Sequence, residues 1–305
     1  MSIQVVDLPE YDRRCFLAHP FRKQKDYRSM TASPALREKM YRTYLEFFEN
    51  AERKRRWHIF DDIPWESLDS SKNDERKAVC VETFCAEEFY LPDYSSKGID
   101  LTRSMFGAAW FQACWSYEES KHGLVFREYL TRSGMRSEAE FADFEQGVFS
   151  SVWTLPFQTG RQMACYGALQ EAATYLAYKA QKDKAQREGD RVLEAIFSYV
   201  SRDEAAHAGF YRAMIQLELS EDREGTITDL AHMISQFKMP GDGLIPNYQE
   251  RLRTSGAGIS TRLFVEHGLL PTLRTLGTSR DELKGVLQRR DATPRVAPVA
   301  EKEGH

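Results

Sequence analysis

Cysteine is scarce, long apolar runs are missing and neither sign of charge prevails in this chain of 305 residues. The five cysteines (Cys15, Cys80, Cys85, Cys114 and Cys165) are odd in number and form no CxxC pair, so they read as reduced thiols rather than a disulfide framework. No stretch of 18 apolar residues occurs, which excludes a membrane-spanning helix. Forty-two Lys+Arg stand against 46 Asp+Glu, a formal net charge of −4 with no basic bias toward nucleic acid. The segment Met1–Asp12 carries Asp7, Glu10 and Asp12 and lacks the basic-then-apolar layout of a signal peptide, so the expected setting is cytoplasmic. Period-two alternation is hard to find, and no Gly/Ser-rich linker divides the middle of the chain.

What is present is helical periodicity. The apolar spacing predicts helices over about 35–56, 74–91, 100–133, 137–150, 158–185, 187–218, 223–238, 259–275 and 280–290, with prolines between them. An all-α helical bundle follows from segments this long joined by short turns. The expected organisation is an irregular arm over 1–33, a single helical domain over 34–291 and a mobile tail over 292–305, where ATPRVAPVAEKEGH has too little apolar content to pack.

Two segments carry ionisable residues on apolar helix faces. Of the seven histidines, only His122 and His207 follow a Glu by three residues, Glu119 and Glu204. Positions i and i+3 share a face, so each pair can reach a common metal. Phe111, Trp115, Glu118, Glu119, His122 and Phe126 form one stripe; Ile196, Val200, Glu204, His207, Tyr211 and Met214 form the other. An unpaired carboxylate on such a face is costly, which calls for a compensating ion. Glu171 precedes Glu204 by 33 residues and Glu87 precedes Glu119 by 32, so each half reads Glu, then Glu-x-x-His. That is the bundle-core pattern of dinuclear carboxylate sites, in which four carboxylates balance two divalent ions. Carboxylate and imidazole donors suit iron or manganese better than zinc. Glu87, Glu88 and Glu82 compete for the first position, and only one should face the core. Glu118 and Asp203, each directly before a proposed bridging Glu, are placed to hold the imidazole of the opposite helix.

These residues resemble the soluble acyl-carrier-protein desaturases, a ferritin-like di-iron family. The resemblance covers about residues 35–240 and rests on Glu118-Glu119-Ser-Lys-His122-Gly123 followed by Tyr129-Leu-Thr-Arg-Ser-Gly134, on Gln170-Glu171-Ala-Ala-Thr174, on Asp203-Glu204-Ala-Ala-His207, and on Ala86-Glu87-Glu88 before Leu91-Pro92-Asp-Tyr94. It implies a ferritin-like four-helix core with additional helices. It further implies Glu87, Glu119 and His122 on one iron and Glu171, Glu204 and His207 on the other, with Glu119 and Glu204 bridging. Alignment on Leu-Pro instead of the double Glu would move the first ligand to Glu88, because the spacer Phe89-Tyr90 is one residue longer than the family usually has. Thr174 resembles a hydroxyl that assists oxygen activation. Trp57 resembles a buried Trp coupled through Asp203 to His122 as an electron route.

The resemblance implies an O2-dependent enzyme with two Fe ions (manganese being the alternative) that puts a cis double bond into an acyl chain carried on acyl carrier protein. It also implies ferredoxin as the electron donor and a homodimeric assembly. Met163, Ala164, Gly167, Trp110 and Phe111 are the expected channel-lining residues, and the basic run Arg53-Lys54-Arg55-Arg56 the expected docking patch for an acidic partner. An oxygenase on the same scaffold, hydroxylating carbon or oxidising an amine, is the alternative; an iron-storage protein ranks behind both.

Overall fold

Every regular element among the described residues is a helix, and short polar side chains set where most of them begin. The computed structural model describes residues 32–292. The expected arm, apart from its last two residues, and the expected tail, apart from Ala292, lie outside the described residues, as does Cys15. Helix α1 (Pro34–Asn50) starts where the Ser33 hydroxyl accepts from the Leu36 N–H and Pro34 sits in the first turn. Asp74 caps α2 (Glu75–Glu88) in the same way. Next come α3 (Leu91–Thr102), α4 (Phe106–Arg132) and α5 (Glu138–Phe149), the last opened by a Ser137/Glu140 capping box. The long helix α6 (Gly160–Glu188) is capped by Thr159 and ends at Gly189, whose φ of 68° is left-handed. Asp190 then caps α7 (Arg191–Glu221). Beyond it lie α8 (Arg223–Gln236), α9 (Tyr248–Ser255) and α10 (Thr261–Phe264). Helix α10 runs through a π turn into α11 (Leu270–Thr275), and α12 (Arg280–Ala292) follows.

Two helices depart from expectation. Residues 91–102 form α3, separated from α4 by a turn at 103–105, where one helix from 100 was expected. Pro92 opens this helix instead of separating two, because the first turn needs no proline N–H. Helix α9 was not anticipated: eight residues are too few to display a 3.6-residue period.

The core is a four-helix arrangement. Helices α6 and α7 pack along each other, joined by the Gly189–Asp190 turn; α2 packs on α4, and α4 meets α7. Helix α1 covers α4 and α7, α3 lies against α4 and α6, and α9 lies against α2. Apolar packing falls into two groups. One includes Phe111, Phe210, Met214 and Leu230; the other includes Phe84, Phe126, Tyr178 and Phe197. Along α4, Glu119 and His122 sit between Phe111 and Phe126. Along α7, Glu204 and His207 sit between Phe197 and Phe210. A polar layer is thus clamped between two greasy ones, with Phe111 stacked on Phe210 at 3.9 Å on one side and Phe84 edge-on to Tyr178 at 4.9 Å on the other.

Candidate metal centre

Four helices deliver their side chains into that layer. Glu88, Glu119, His122 and Glu204 offer donor atoms all within 4.8 Å of one another; so do Glu119, Glu171, Glu204 and His207. Both groups are buried, and Glu119 and Glu204 are common to both, where carboxylates shared by two ions would lie. His122 Nδ1 lies 3.0 Å from Glu119 Oε2, 3.3 Å from Glu204 Oε1 and 3.9 Å from Glu88 Oε1. His207 Nδ1 lies 2.9 Å from Glu119 Oε1 and 3.7 Å from Glu171 Oε2.

These approaches are close in distance yet lack hydrogen-bond geometry. Glu119 Oε1, His122 Nδ1, Glu171 Oε2, Glu204 Oε2 and His207 Nδ1 are all buried with no hydrogen-bond partner. Orphaned buried acceptors are rare because each carries its full desolvation cost. Five converging on one spot, all oxygen or imidazole nitrogen, fit a pair of hard or borderline divalent ions.

The first position goes to Glu88 rather than Glu87. Glu87 points away and accepts a hydrogen bond from the Tyr248 hydroxyl, whereas Glu88 accepts from Tyr178 and faces His122. Successive residues on a helix differ by about 100° in direction, so only one of the two can face the layer. Glu82 is also elsewhere, in ion pairs with Arg136 and Arg251.

The outer face of each imidazole is held by a carboxylate. Glu118 Oε2 is 2.7 Å from His207 Nε2, and Asp203 Oδ2 is 3.5 Å from His122 Nε2. With each Nε2 facing its outer carboxylate, each Nδ1 is turned toward the layer, where it could hold a metal ion. Trp57 Nε1 donates to Asp203 Oδ2 at 2.7 Å, so Trp57, Asp203 and His122 form one connected line. Two arginines neutralise the outer carboxylates. Arg55 donates to Asp203 at 2.9 Å and to Glu118 at 3.2 Å; Arg56 donates to Glu118 at 2.6 Å. Their side chains are only 11% and 24% exposed, which corrects the reading of Arg53–Arg56 as one basic surface patch. A π turn over Ala51–Arg55 at the end of α1 carries both arginines at the turn's exit. Of the run, Arg53 and Lys54 stay exposed, and Arg53 pairs with Glu49. A run of four cations in sequence gave no sign of this inward turn.

Ionisation follows from these neighbours. Burial on its own would lift the Asp203 carboxyl, but His122, His207 and Trp57 outweigh it and hold it at about 2. Glu118 is likewise held low against burial by His207 and Arg55. Burial pushes Glu88 and Glu204 well above the usual carboxylate range, and the charge of Glu119 adds to it. Burial would depress both imidazoles, yet the surrounding carboxylates raise them well above their ordinary value. Crowded acids therefore hold protons that a metal pair would displace.

A cavity opens against this layer, with about 700 Å³ of free space including its mouth. Glu88 and Glu119 floor it, and Trp115, Trp153, Phe157 and Met163 are among its walls. Of the expected channel residues, Met163 and Gly167 line it, whereas Ala164 and Phe111 are packed in the core. Trp110 is 51% exposed on the outside of α4, because it lies on the face opposite to the stripe of Phe111 and Trp115. Thr174 lines the cavity, and its hydroxyl donates back to the Gln170 carbonyl at 3.1 Å. Trp115 Nε1 donates to Glu171 Oε1 at 2.9 Å, a contact not anticipated from sequence. Tyr178, which touches Glu88, could have been found one turn beyond Thr174 on the Glu171 face.

The same architecture occurs in known proteins. DesA2 of Mycobacterium tuberculosis H37Rv, assigned as an acyl-ACP desaturase, superposes with a TM-score of 0.58 at 16% identity, covering 83% of this chain and 99% of that one. An R2-like ligand-binding oxidase G68L mutant with a Mn/Fe cofactor gives a TM-score of 0.53 at 16% identity, covering 84% and 98%. Among curated sequences, the seed-specific chloroplastic stearoyl-[acyl-carrier-protein] 9-desaturase of Brassica napus is 25% identical over 202 residues, 63% of this chain and 50% of that protein. The chloroplastic palmitoyl-[acyl-carrier-protein] 4-desaturase 2 of Ophrys arachnitiformis subsp. archipelagi is 24% identical over 200 residues, 61% of this chain and 51% of that protein. The chain thus spans about half the length of the curated relatives it matches. The sequence profile of the family described as fatty acid desaturase matches residues 65–262, a stretch that runs from ahead of α2 to α10 and contains every residue of the buried cluster. With its helical fold and clustered donors already in place, the chain belongs to the fatty acid desaturase family.

Proposed function

We propose that this protein is an O2-dependent desaturase that introduces a cis double bond into an acyl chain carried on acyl carrier protein, using two Fe ions and electrons from ferredoxin. The observation that carries the reading is the aromatic and aliphatic cavity opening directly on Glu88 and Glu119. Glu88, Glu119 and His122 would hold one metal and Glu171, Glu204 and His207 the other, with Glu119 and Glu204 shared. The metal pair supplies the O2-derived oxidising power needed for an unactivated C–H bond.

The chain's own residues do the rest. Glu118 and Asp203 fix the imidazoles, and Arg55 and Arg56 keep those carboxylates ionised in a buried setting. Trp115, Trp153, Phe157 and Met163 hold an acyl segment beside the floor and keep water from it. Thr174 presents its hydroxyl at the wall of the same cavity, where it can hold a proton near the oxidising centre. The Trp57–Asp203–His122 line connects an aromatic ring of the outer layer to the cluster, and electrons would enter along it. Among the described residues no helix is long and apolar enough to cross a membrane, which agrees with a carrier-borne substrate.

The test is incubation of the iron-loaded protein with a series of acyl carrier protein substrates, ferredoxin, its reductase and O2. A product two mass units lighter is expected. O2 consumption with no such product at any chain length would overturn the proposal, and a product sixteen units heavier would establish an oxygenase instead.

A further inference from the structure

The carboxylate displaced from the metal layer is tied to the fold by a single hydrogen bond, to Tyr248 at the start of α9. Glu87 is only 9% exposed, and its sole hydrogen-bond partner among the described residues is the Tyr248 hydroxyl. Among the described residues no Lys, Arg or His makes an ion pair with it, although a carboxyl offers several acceptor sites. Its position is unusual as well. A second cavity, with about 1430 Å³ of free space including its mouth, lies between α6 and the 237–269 region, lined by Ala173, Phe237, Leu252, Phe264 and Leu269 among others. Glu87, Thr174 and Met239 line both cavities and so form the partition between them. A second polar group points the same way: the Tyr94 hydroxyl is buried with no partner, and Tyr94 lines the first cavity. Tyr94 is near enough for the Glu87 carboxylate to add to the effect of burial on its pKa. A slot built for bare hydrocarbon would place leucine or phenylalanine at such a partition.

We propose that Glu87, with Tyr94 beside it, receives a hydrogen-bond donor on the substrate, so that the oxidised chain carries a hydroxyl or an amine where it crosses between the two cavities. This deepens the proposed function and rests on its reading of the first cavity as the substrate site. The donor sits one helical step from Glu88, which sets the substituent close to the carbon being oxidised and gives the site a means of selecting position along the chain. The shared chemistry is an N–H or O–H aimed at a buried carboxyl.

Binding tests this without turnover. The metal-loaded full chain is titrated with octan-1-ol and with its isomer 1-methoxyheptane, which accepts hydrogen bonds and donates none, following the fluorescence of Trp115 and Trp153 in the cavity wall. The alcohol should bind about five-fold more tightly, the value of one net hydrogen bond. Octylammonium, run alongside, separates an amine from a hydroxyl by which binds more tightly. Glu87→Leu, or Glu87→Met where the longer side chain is needed for folding, should erase the preference and keep two metals per chain by elemental analysis. Equal binding of the two isomers by the unaltered protein overturns the proposal. So does a preference that survives loss of the carboxyl, or loss of metal from either variant, which would make Glu87 a ligand. A failed desaturation assay leaves this result standing, and the reverse holds too.

Discussion

Glu87 and Glu88 are one bond apart in sequence and about 100° apart around α2, and that rotation decides which of them reaches His122. The spacer Phe89-Tyr90 before Leu91-Pro92 already pointed to Glu88, but the double-Glu alignment competed with it. The packing of α2 against α4 breaks the tie. Glu88→Ala should therefore lower metal affinity by at least the 10–100-fold typical of losing even an outer partner. Glu87→Ala should leave metal stoichiometry at two, and equilibrium dialysis with elemental analysis separates the two outcomes. A second residue-scale case lies away from the metals. Lys77 donates to Asp190 at 2.8 Å and Tyr129 donates to the same oxygen at 2.7 Å, with both charged side chains under a tenth exposed. Burial would raise the Asp190 carboxyl, yet Lys77, the Leu193 N–H and Tyr129 together bring it below its ordinary value. A depressed carboxylate contributes stability that is complete above its unfolded-state pKa and is lost as pH falls through the folded one. Asp190→Asn keeps the helix cap but leaves Lys77 with the Lys72 carbonyl and the more distant Glu188, so it should cost about 1–3 kcal/mol at neutral pH. In denaturant titrations the gap between the two proteins should close below about pH 4.

At the scale of elements, helix caps and glycines were readable where they act locally and opaque where they act across the fold. Ser33, Asp74, Ser137, Thr159 and Asp190 begin helices for reasons visible within four residues of each. Gly107 does not advertise its role in that way. A Cβ there would lie 2.5 Å from the Met40 carbonyl oxygen and 2.7 Å from the Tyr41 nitrogen, so it is the point where α4 touches the backbone of α1. Gly107→Ala has no flexible side chain to push aside and should cost about 1–3 kcal/mol, read as a lowered melting temperature. The π turn at Ala51–Arg55 is the other hidden element. It brings Arg55 and Arg56 onto Glu118 and Asp203, so α1 is tied to the metal layer through charge as well as through apolar packing. Arg55→Met should destabilise the protein more with the outer carboxylates left intact than alongside Asp203→Asn, a double-mutant cycle that reports the coupling directly.

For the whole molecule, the buried layer is the dominant electrostatic fact. Four inner carboxylates and two imidazoles share one low-dielectric space, and either protons or bound cations must relieve their crowding. The metal-free protein should therefore melt at a lower temperature than the metal-loaded one near neutral pH. With free metal at about 100–1,000 times its dissociation constant, the holo form should gain about 3–4 kcal/mol. Calorimetry before and after chelation and reloading checks this; equal melting of both forms would show that the cluster is not a metal site. Metal uptake in weakly buffered solution should also release protons, since burial and the charge of Glu119 favour the protonated forms of Glu88 and Glu204 when no metal is bound.

The sequence by itself determined the helical class, the two Glu-x-x-His faces with their upstream carboxylates, and the outer partners Glu118 and Asp203. The Glu-x-x-His faces depend on spacing along one helix, which helix geometry converts into direction without help from the rest of the chain; the upstream carboxylates came from the repeat of about 32–33 residues between the two halves. Tertiary structure alone decided the rest: Glu88 over Glu87, the inward turn of Arg55 and Arg56, the exposure of Trp110, and the partition that Glu87 forms between two cavities. Those depend on which helix lies opposite and at what rotation, and no local period encodes that choice.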